Sequence, residues 1–205
     1  MRLLPSGSAA LLVELDDLEA VLALYAALVQ DQPAGVLDVV PAGRTVLVVT
    51  DPAVTTLAAV AEAVRSARPR EDAQTAGELV EIPVRYDGDD LEDAAVLIGC
   101  DVVELVRRHT SQEWTVAFCG FAPGFGYLTS PAWPHDVARR SSPRTKVPTG
   151  SVALAGEFSG VYPRESPGGW QLIGRTEVAV FDLSREPAAL LRPGNRVRFV
   201  PVGPR

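Results

Sequence analysis

Glycine and proline are concentrated in one stretch of this chain, between Phe118 and Thr176. It contains nine of the 17 glycines and seven of the 17 prolines in a sequence of 205 residues. Glycine permits positive φ angles and close backbone approach, whereas proline fixes φ and stiffens a loop. Aromatic residues stand between them, at positions 118, 121, 125, 127, 133, 158, 162 and 170. We therefore expect rigid loops with aromatic walls that shape a surface or a cleft.

Short β-type runs surround and interrupt this stretch. They lie at 79–86, 113–121, 152–158, 160–162, 169–174, 178–182 and 196–200. Many short strands at close spacing favour a barrel over a layered α/β sheet. Two helical runs precede the stretch, with Asp89-Asp90 and Asp101 as candidate N-caps. The sequence thus predicts a β-barrel domain at 77–205.

The first 76 residues have a different pattern. Strand-like runs at 9–15, 36–40 and 45–50 alternate with two helical runs. Asp16 or Asp17 is the candidate N-cap of the first helix, and Asp51-Pro52 is the candidate start of the second. The polar segment 68–78 then reads as a linker or a surface loop. We predict a small α+β domain (β-α-β-β-α) at 1–76 and, for the whole chain, an α+β, mainly β fold.

Composition and missing motifs exclude several functions. The net charge is −7, which disfavours nucleic acid as a partner because phosphates attract a basic surface. No apolar run reaches the ~20 residues that a membrane helix needs, and no signal peptide is recognisable. Walker, zinc-protease and Cys-x-x-Cys motifs are absent. We expect a cytoplasmic protein with reduced cysteines and no metal site.

Three side chains stand out as candidates for chemistry: His109, Arg144 and Arg175. His109 ends a helical run, where it either caps carbonyls as an imidazolium or transfers protons. Arg144 follows a proline and Arg175 follows a glycine, so stiff backbone holds both. Each arginine either binds a carboxylate or phosphate or forms a salt bridge within the protein. The segment FCGFAPGFGYL could equally form an anion-accepting concavity or a bulged core strand.

Several of these segments together resemble one known family. HTSQEWTVAFCGFAPGFGYL, PRTKVPTGSVALAGEFSGVYP and SPGGWQLIGRT are similar to the KipI family, also called the B subunit of 5-oxoprolinase or allophanate hydrolase subunit 1. IPVRYDGDDLEDAA and RPGNRVRFVPV are similar as well. The resemblance covers the second domain nearly end to end and the first more loosely. Cys119 and Gly126 depart from the usual family residues, which affects loop stiffness more than chemistry.

The resemblance implies a cyclophilin-like β-barrel behind a small α/β domain. It also implies a hydrolase component that opens the lactam of 5-oxoproline to give glutamate. Its partners would be a cyclophilin-like C subunit, of the allophanate hydrolase subunit 2 type, and a lactam-utilisation A subunit. ATP would be the co-substrate, with Mg, bound by this chain or by a partner, and part of the active site would then lie outside this chain. Alternatives are an inhibitor of a sensor histidine kinase and an accessory protein for allophanate or urea chemistry.

The resemblance also directs attention to particular residues. His109, Arg144 and Arg175 match family motifs, and we expect them to be catalytic. Their expected roles are proton transfer for His109 and contact with carboxylate or phosphoryl oxygens for the arginines. The residues expected to contact the substrate are Gly120, Phe121, Pro123, Gly124, Phe125, Tyr127, Ser151, Tyr162, Ser166, Gly168, Gly169 and Trp170.

Overall fold

The architecture is described for residues 1–68 and 77–203 of a computed structural model. The chain divides into two units, Met1–Thr75 and Ala76–Arg205, against an expected division after residue 76. The predicted linker at 68–78 lies largely outside the described residues. Each unit has a hydrophobic core of its own.

The elements of the first unit are β1 Arg2–Pro5, β2 Ala10–Glu14, α1 Leu18–Gln30, β3 Val36–Pro41, β4 Thr45–Thr50 and α2 Leu57–Ser66. The strands form one antiparallel sheet with the order β1-β2-β4-β3. Alternate residues of β2 and β4 are buried, so one face of the sheet packs against the helices. Leu11, Val13, Val46 and Val48 lie on that face and join the apolar residues of α1 and α2 in one core.

Helix starts in this unit test the capping predictions. Asp17 caps α1 as expected, because its carboxylate accepts a hydrogen bond from Ala20 N at 2.8 Å. The predicted start of α2 at Asp51-Pro52 is wrong: Thr56 caps that helix, and Asp51 instead closes a turn with Ala53 N. Asp-Pro suits a turn as well as a helix start, so the two are indistinguishable in sequence. Strand β1 also has no counterpart in the sequence prediction.

The elements of the second unit are β5 Leu79–Val84, α3 Leu91–Leu97, α4 Val102–Ser111, β6 Trp114–Cys119, β7 Gly126–Thr129, β8 Arg144–Val147, β9 Ser151–Ala155, β10 Phe158–Val161, β11 Ser166–Gly168, β12 Gln171–Arg175 and β13 Arg196–Pro201. Seven of the strands form one sheet with the order β12-β9-β10-β7-β6-β13-β5. They pair antiparallel except β13 and β5, which run parallel. Strands β11 and β8 form a separate two-stranded sheet.

The edges of this sheet meet just beyond β5. Arg85 and Arg175 form an antiparallel bridge, and each donates its backbone N–H to the carbonyl of the other at 2.9 Å. Two glycines permit this approach. A Cβ atom at Gly88 would lie 2.3 Å from Leu172 O, and one at Gly174 would lie 2.5 Å from Arg85 O. The sheet is therefore nearly closed, and the predicted α+β, mainly β fold with a barrel-like second domain is confirmed.

Both faces of the sheet are buried near β9. Val152 and Leu154 belong to the main core with Trp114, α3 and α4, whereas Ala153 and Ala155 face a second cluster with Phe125 and Trp170. All five residues of β9 are buried for this reason. Because both faces of such a strand are buried, its sequence is a continuous apolar run and does not alternate between apolar and polar residues.

Some strand predictions differ from the structure. The run 178–182 contributes only an isolated bridge between Phe181 and Ala189. Strands β7, β8 and β11 have three or four residues each, too few to show a period of two in the sequence. Cys100 and Cys119 are free thiols, and burial raises the pKa of Cys119 to about 11. Among the described residues, no helix is long and apolar enough to cross a membrane.

Candidate functional site

The loop after β5 carries the carboxylates that hold both candidate arginines. Its sequence is Asp87-Gly88-Asp89-Asp90. Asp87 Oδ2 accepts a hydrogen bond from Arg175 Nη2 at 2.7 Å. Asp90 accepts from Arg144 Nη1 and Nη2 at 2.7 and 2.8 Å. One acidic loop thus binds the two arginines that the sequence singled out, which are 31 positions apart in the chain.

Asp90 is the buried centre of this arrangement. Its side chain is 1% exposed and also forms a short contact with Arg140 and accepts a hydrogen bond from Leu172 N at 2.8 Å. Burial alone would raise the pKa of Asp90. Hydrogen bonds from Arg144 and Leu172, and the charges of Arg144 and Arg140, outweigh it and hold that pKa below its usual value. The carboxylate is therefore ionised and fixed.

The position of Asp90 explains why it does not cap α3 through its side chain. It occupies the predicted N-cap position, yet no side-chain capping bond forms there. Its carboxylate turns towards Arg144 and Arg140 instead, since two guanidinium groups offer stronger, charge-assisted hydrogen bonds than a backbone amide does. The sequence thus correctly predicted where α3 begins. It did not predict that the side chain of Asp90 binds arginines and not the backbone of that helix.

The two arginines differ in what they leave available. Arg144 is 20% exposed and uses two of its five N–H donors on Asp90, and its Nη2 also lies 3.7 Å from Asp89 Oδ2. Arg175 is 63% exposed and binds Asp87 at the surface. Both therefore form the internal salt bridges that the sequence left open as an alternative. A contact with a ligand would use their remaining donors, and that role stays a prediction.

The predicted substrate loop folds as an aromatic cluster with a tight turn. Phe121 has a φ of 65°, which is unusual for a bulky residue, and its side chain is 59% exposed. It contacts the buried rings of Phe125 and Tyr162 edge-on, with centroids 5.4 and 6.2 Å apart. Gly124 has a φ of 82°, and a Cβ there would lie 2.5 Å from Phe181 Cβ. The turn thus holds an aromatic side chain out towards solvent.

Further predicted residues pack behind this turn. Tyr127 and Trp170 contact Phe125 edge-on, at 5.1 and 5.3 Å between ring centroids. Gly168 allows Tyr162 to approach, because a Cβ atom there would lie 2.3 Å from its hydroxyl oxygen. Burial raises the pKa of Tyr127 and of Tyr162, so both phenols are protonated donors.

Arg144 borders the same cluster. It pairs with Gly168 across β8 and β11. Its positive charge lowers the pKa of the Tyr162 phenol and so opposes the larger effect of burial, which raises that pKa. Gly169 O accepts a hydrogen bond from Arg140 N at 2.8 Å, which ties the second arginine of the Asp90 cluster to the same loops. The structure therefore places Arg144 beside Gly168 and Tyr162, and Tyr162 in turn contacts Phe121 and Phe125 of the loop after β6.

Of the remaining predicted residues, Ser151 lies apart from this group, whereas Ser166, Pro123 and Gly120 belong to the segments that form it. Ser151 pairs with Arg175 in the β9–β12 ladder, and its hydroxyl donates to Pro148 O at 2.8 Å. Ser166 is buried, and its hydroxyl lies 3.3 Å from Arg164 O. Both hydroxyls thus already have backbone acceptors. Pro123 is exposed at the tip of the aromatic turn, and Gly120 N donates to Phe125 O at its base.

His109 lies inside the main core. Tyr86 Oη is 2.7 Å from its Nδ1, Ser159 Oγ is 2.9 Å from its Nε2, and Phe199 stacks on the ring at 4.4 Å. Burial lowers the pKa of His109 to about 3, so the imidazole is neutral. The alternative prediction, that His109 caps the helix as an imidazolium, is therefore wrong. Proton transfer by His109 would have to pass through Tyr86 or Ser159, and that role stays a prediction.

Sequence reasoning missed three residues of the site: Asp87, Asp90 and Arg140. A usable signal existed, because Asp-Gly-Asp-Asp follows a strand inside a segment similar to the family. Two predicted arginines also needed acidic partners if they were to be held rigidly. Within 1–68 and 77–203 there is no group of three or more His, Cys, Asp and Glu side chains that could hold a metal ion.

Comparison with known proteins identifies the family. The profile of the family described as "Carboxyltransferase domain, subdomain C and D" matches residues 1–191. The chain belongs to this family. The resemblance that the sequence motifs indicated is thereby confirmed, since three curated relatives are each named as the B subunit of 5-oxoprolinase.

Two curated relatives of this carboxyltransferase-domain protein show how far the similarity extends. The 5-oxoprolinase B subunit of Escherichia coli O157:H7 is 48% identical over 125 residues, which is 60% of this chain. That of Bacillus subtilis (strain 168) is 43% identical over 141 residues, or 67% of this chain. These matches span 57% and 59% of the relatives' own length.

Solved structures agree on the fold. The protein PH0987 from Pyrococcus horikoshii is 34% identical with a TM-score of 0.58, and the match covers 98% of this chain and 97% of that one. Kluyveromyces lactis urea amidolyase is 19% identical with a TM-score of 0.79, over 98% of this chain and 15% of its own. At that identity, the second likeness concerns the fold alone.

Proposed function

We propose that this chain is one component of an ATP-dependent 5-oxoprolinase, which opens the lactam of 5-oxoproline to give glutamate. The observation that carries the proposal is the 41–48% identity to three proteins named as B subunits of 5-oxoprolinase. Those names mean that the three relatives act in a complex. We propose a cyclophilin-like C subunit and a lactam-utilisation A subunit as the partners here, and the cytoplasm, where ATP is available, as the location.

The chemistry explains why such a reaction needs both ATP and fixed cations. An unstrained lactam resists hydrolysis, and transfer of the terminal phosphoryl group of ATP to its carbonyl oxygen makes the ring carbon more electrophilic. One water adds to that carbon and the ring C–N bond breaks, which gives an acyl phosphate and the free amine. A second water then hydrolyses the acyl phosphate and releases phosphate. The products are glutamate, ADP and phosphate. Negative charge develops on the carbonyl and phosphoryl oxygens during these steps, so prepositioned arginine donors stabilise them.

The geometry supports specific roles in this reaction. Asp90 holds Arg144 rigidly beside the aromatic turn, and the remaining Arg144 donors are available to substrate oxygens. Phe121, Tyr127 and Tyr162 supply apolar walls and protonated phenols for a small ring. ATP, with Mg, would be held by this chain or by a partner, because no phosphate-binding loop is present in the sequence.

A substrate panel with the reconstituted complex tests this proposal. The three proteins are mixed with ATP, and ADP release is measured with 5-oxoproline, urea, allophanate or no substrate. We expect release to depend on 5-oxoproline and to match the glutamate formed mole for mole. ADP release driven by urea or allophanate, with none driven by 5-oxoproline, would contradict the proposal and favour an accessory role in urea chemistry.

A further inference from the structure

Two arginines stand directly opposite each other where the barrel closes. Arg85 and Arg175 exchange both backbone hydrogen bonds at 2.9 Å, which defines a hydrogen-bonded antiparallel pair. In such a pair the Cα atoms lie about 5.5 Å apart and the side chains leave the same face of the sheet. Like charges in this relationship repel each other, so the arrangement destabilises the closure unless negative charge balances it.

Within residues 1–68 and 77–203, Arg175 has a carboxylate partner and Arg85 has none. Arg175 binds Asp87 at 2.7 Å. Arg85 is half-buried, its Nε is buried without a hydrogen-bond partner, and it joins no ion pair within the ranges 1–68 and 77–203. A buried donor without an acceptor costs about 1–3 kcal/mol, and more when the group is charged. Arg85 therefore lacks an anionic partner among the described residues, and because its Nε is buried, a ligand would bind its terminal nitrogens.

A cavity of about 730 Å³ lies at this pair. Its volume falls in the range of about 300–1,000 Å³ that is typical of small-molecule sites. Both arginines line it, together with Thr149 and Thr176. Thr176 Oγ1 accepts a hydrogen bond from Val178 N at 3.2 Å, which leaves its hydroxyl hydrogen available to a ligand. Glu177 also lines the cavity and already has an interaction of its own.

We propose that this cavity, here called the seam pocket, binds a small oxyanion, either a carboxylate or a phosphate. Arg85 and Arg175 would each donate to it, and Thr176 would add a neutral donor. The anion would reduce the repulsion between the two guanidinium groups across the seam. The inference rests on the proposed function only in the choice of 5-oxoproline as the carboxylate probe, since the pocket itself follows from the geometry.

The Asp90 cluster does not offer an equivalent site. There the carboxylate already lies between two guanidinium groups, so the positive charge is balanced inside the protein. At the seam, Asp87 binds Arg175, and within residues 1–68 and 77–203 Arg85 joins no ion pair, although Glu177 adds a carboxylate to the lining of the cavity. An added anion gains more beside a guanidinium group that has no ion-pair partner than beside one that is already paired.

Binding to the full chain alone tests the seam pocket without any need for catalysis. Titration calorimetry would use 5-oxoproline, inorganic phosphate and, as a neutral control, 2-pyrrolidinone, which has the same ring without the carboxylate. We expect saturable binding of at least one anion and none of 2-pyrrolidinone. Tighter binding of 5-oxoproline assigns the pocket to a carboxylate, and tighter binding of phosphate assigns it to a phosphoryl group.

Matched variants locate the bound anion. Arg85→Gln and Arg175→Gln each remove one positive charge from the pocket, and we expect each to weaken binding about tenfold or more. Arg192→Gln removes one charge beside Glu78, at the other end of β5, and should leave the affinity within about twofold. Thermal melting of each free variant checks folding, and Arg85→Gln should melt no lower than wild type because it relieves repulsion.

Three results would overturn the proposal. They are the absence of saturable binding of either anion, an unchanged affinity in Arg85→Gln, and an equal loss in Arg192→Gln. Each is distinct from failure of the proposed function. An inactive complex in which this chain still binds an anion through Arg85 would refute only the 5-oxoprolinase assignment, whereas an active complex without such binding would refute only the seam pocket.

Discussion

Asp90 receives both terminal nitrogens of Arg144, at 2.7 and 2.8 Å, while its own side chain is 1% exposed. The pair joins the loop after β5 to β8, 54 residues later in the chain. Because Leu172 N binds the same carboxylate, one side chain connects three segments of the barrel. The rigidity expected for Arg144 thus comes from its acidic partner as well as from the neighbouring proline.

We expect Asp90→Asn to destabilise the second unit strongly. The substitution keeps the shape but removes the buried carboxylate from Arg144 and Arg140, and Arg144 retains only the exposed Asp89 at 3.7 Å. Removing one partner of a buried ion pair costs about 3–5 kcal/mol, and the partial exposure of the two arginines reduces this to about 2–4 kcal/mol. Urea unfolding measures the loss. Asp89→Asn is the matched control, because Asp89 is 78% exposed and should change stability by about 0.5 kcal/mol or less. Equal effects of the two variants would refute the role of Asp90.

His109 should make the free energy of unfolding decrease as the pH falls below 6.5. Its pKa is about 3 in the folded chain against an ordinary 6.5, so the unfolded chain binds a proton that the folded chain excludes. The contribution of the neutral imidazole to the free energy of unfolding is complete above pH 6.5. It is lost as the pH falls towards 3, and the free energy then changes by up to about 1.4 kcal/mol per pH unit.

Comparing variants across pH isolates this effect. We expect His109→Gln to reduce the fall in unfolding free energy between about pH 6.5 and 4.5, whatever its stability at neutral pH. His135 is partly exposed in a loop and serves as the control: His135→Gln should keep most of the slope. An identical slope in wild type and His109→Gln would contradict the buried, neutral imidazole.

Phe121 should show the cost of its left-handed backbone. With a φ of 65°, a residue that has a Cβ atom is strained by about 1–2 kcal/mol, and glycine is not. Phe121→Gly and Phe121→Ala both lose the ring contacts with Phe125 and Tyr162, so the difference between them isolates the backbone term. We expect the glycine variant to be the more stable by about 1 kcal/mol in urea unfolding. An alanine variant of equal or greater stability would show that the turn is not held at this φ.

Closure of the barrel should be sensitive to Gly88. A Cβ atom there would lie 2.3 Å from Leu172 O, so alanine forces the edges apart. Overpacking of this kind costs about 1–3 kcal/mol. Gly203→Ala meets nothing within 4 Å and should change stability by about 0.5 kcal/mol or less. Equal stability of Gly88→Ala and wild type would mean that the loop after β5 does not pack against β12.

Local sequence signals predicted local structure, and they did not predict pairing between distant residues. Proline and glycine beside Arg144 and Arg175 indicated stiff arginines, but their partners are 54 and 88 positions away. Asp90 matched the pattern of an N-cap, and only the fold shows that two guanidinium groups compete for it. Burial of His109 was hidden for a similar reason, since its surroundings come from Tyr86 in the loop after β5, from β10 and from β13.

The requirement for this chain in 5-oxoproline turnover tests the central proposal most directly. Glutamate formation from 5-oxoproline and ATP is measured with the three proteins together and with this chain left out. We predict sustained turnover only in the complete mixture, with one ADP released for each glutamate formed. Turnover at the same rate without this chain would contradict its assignment to the enzyme, as would a complete mixture that forms no glutamate.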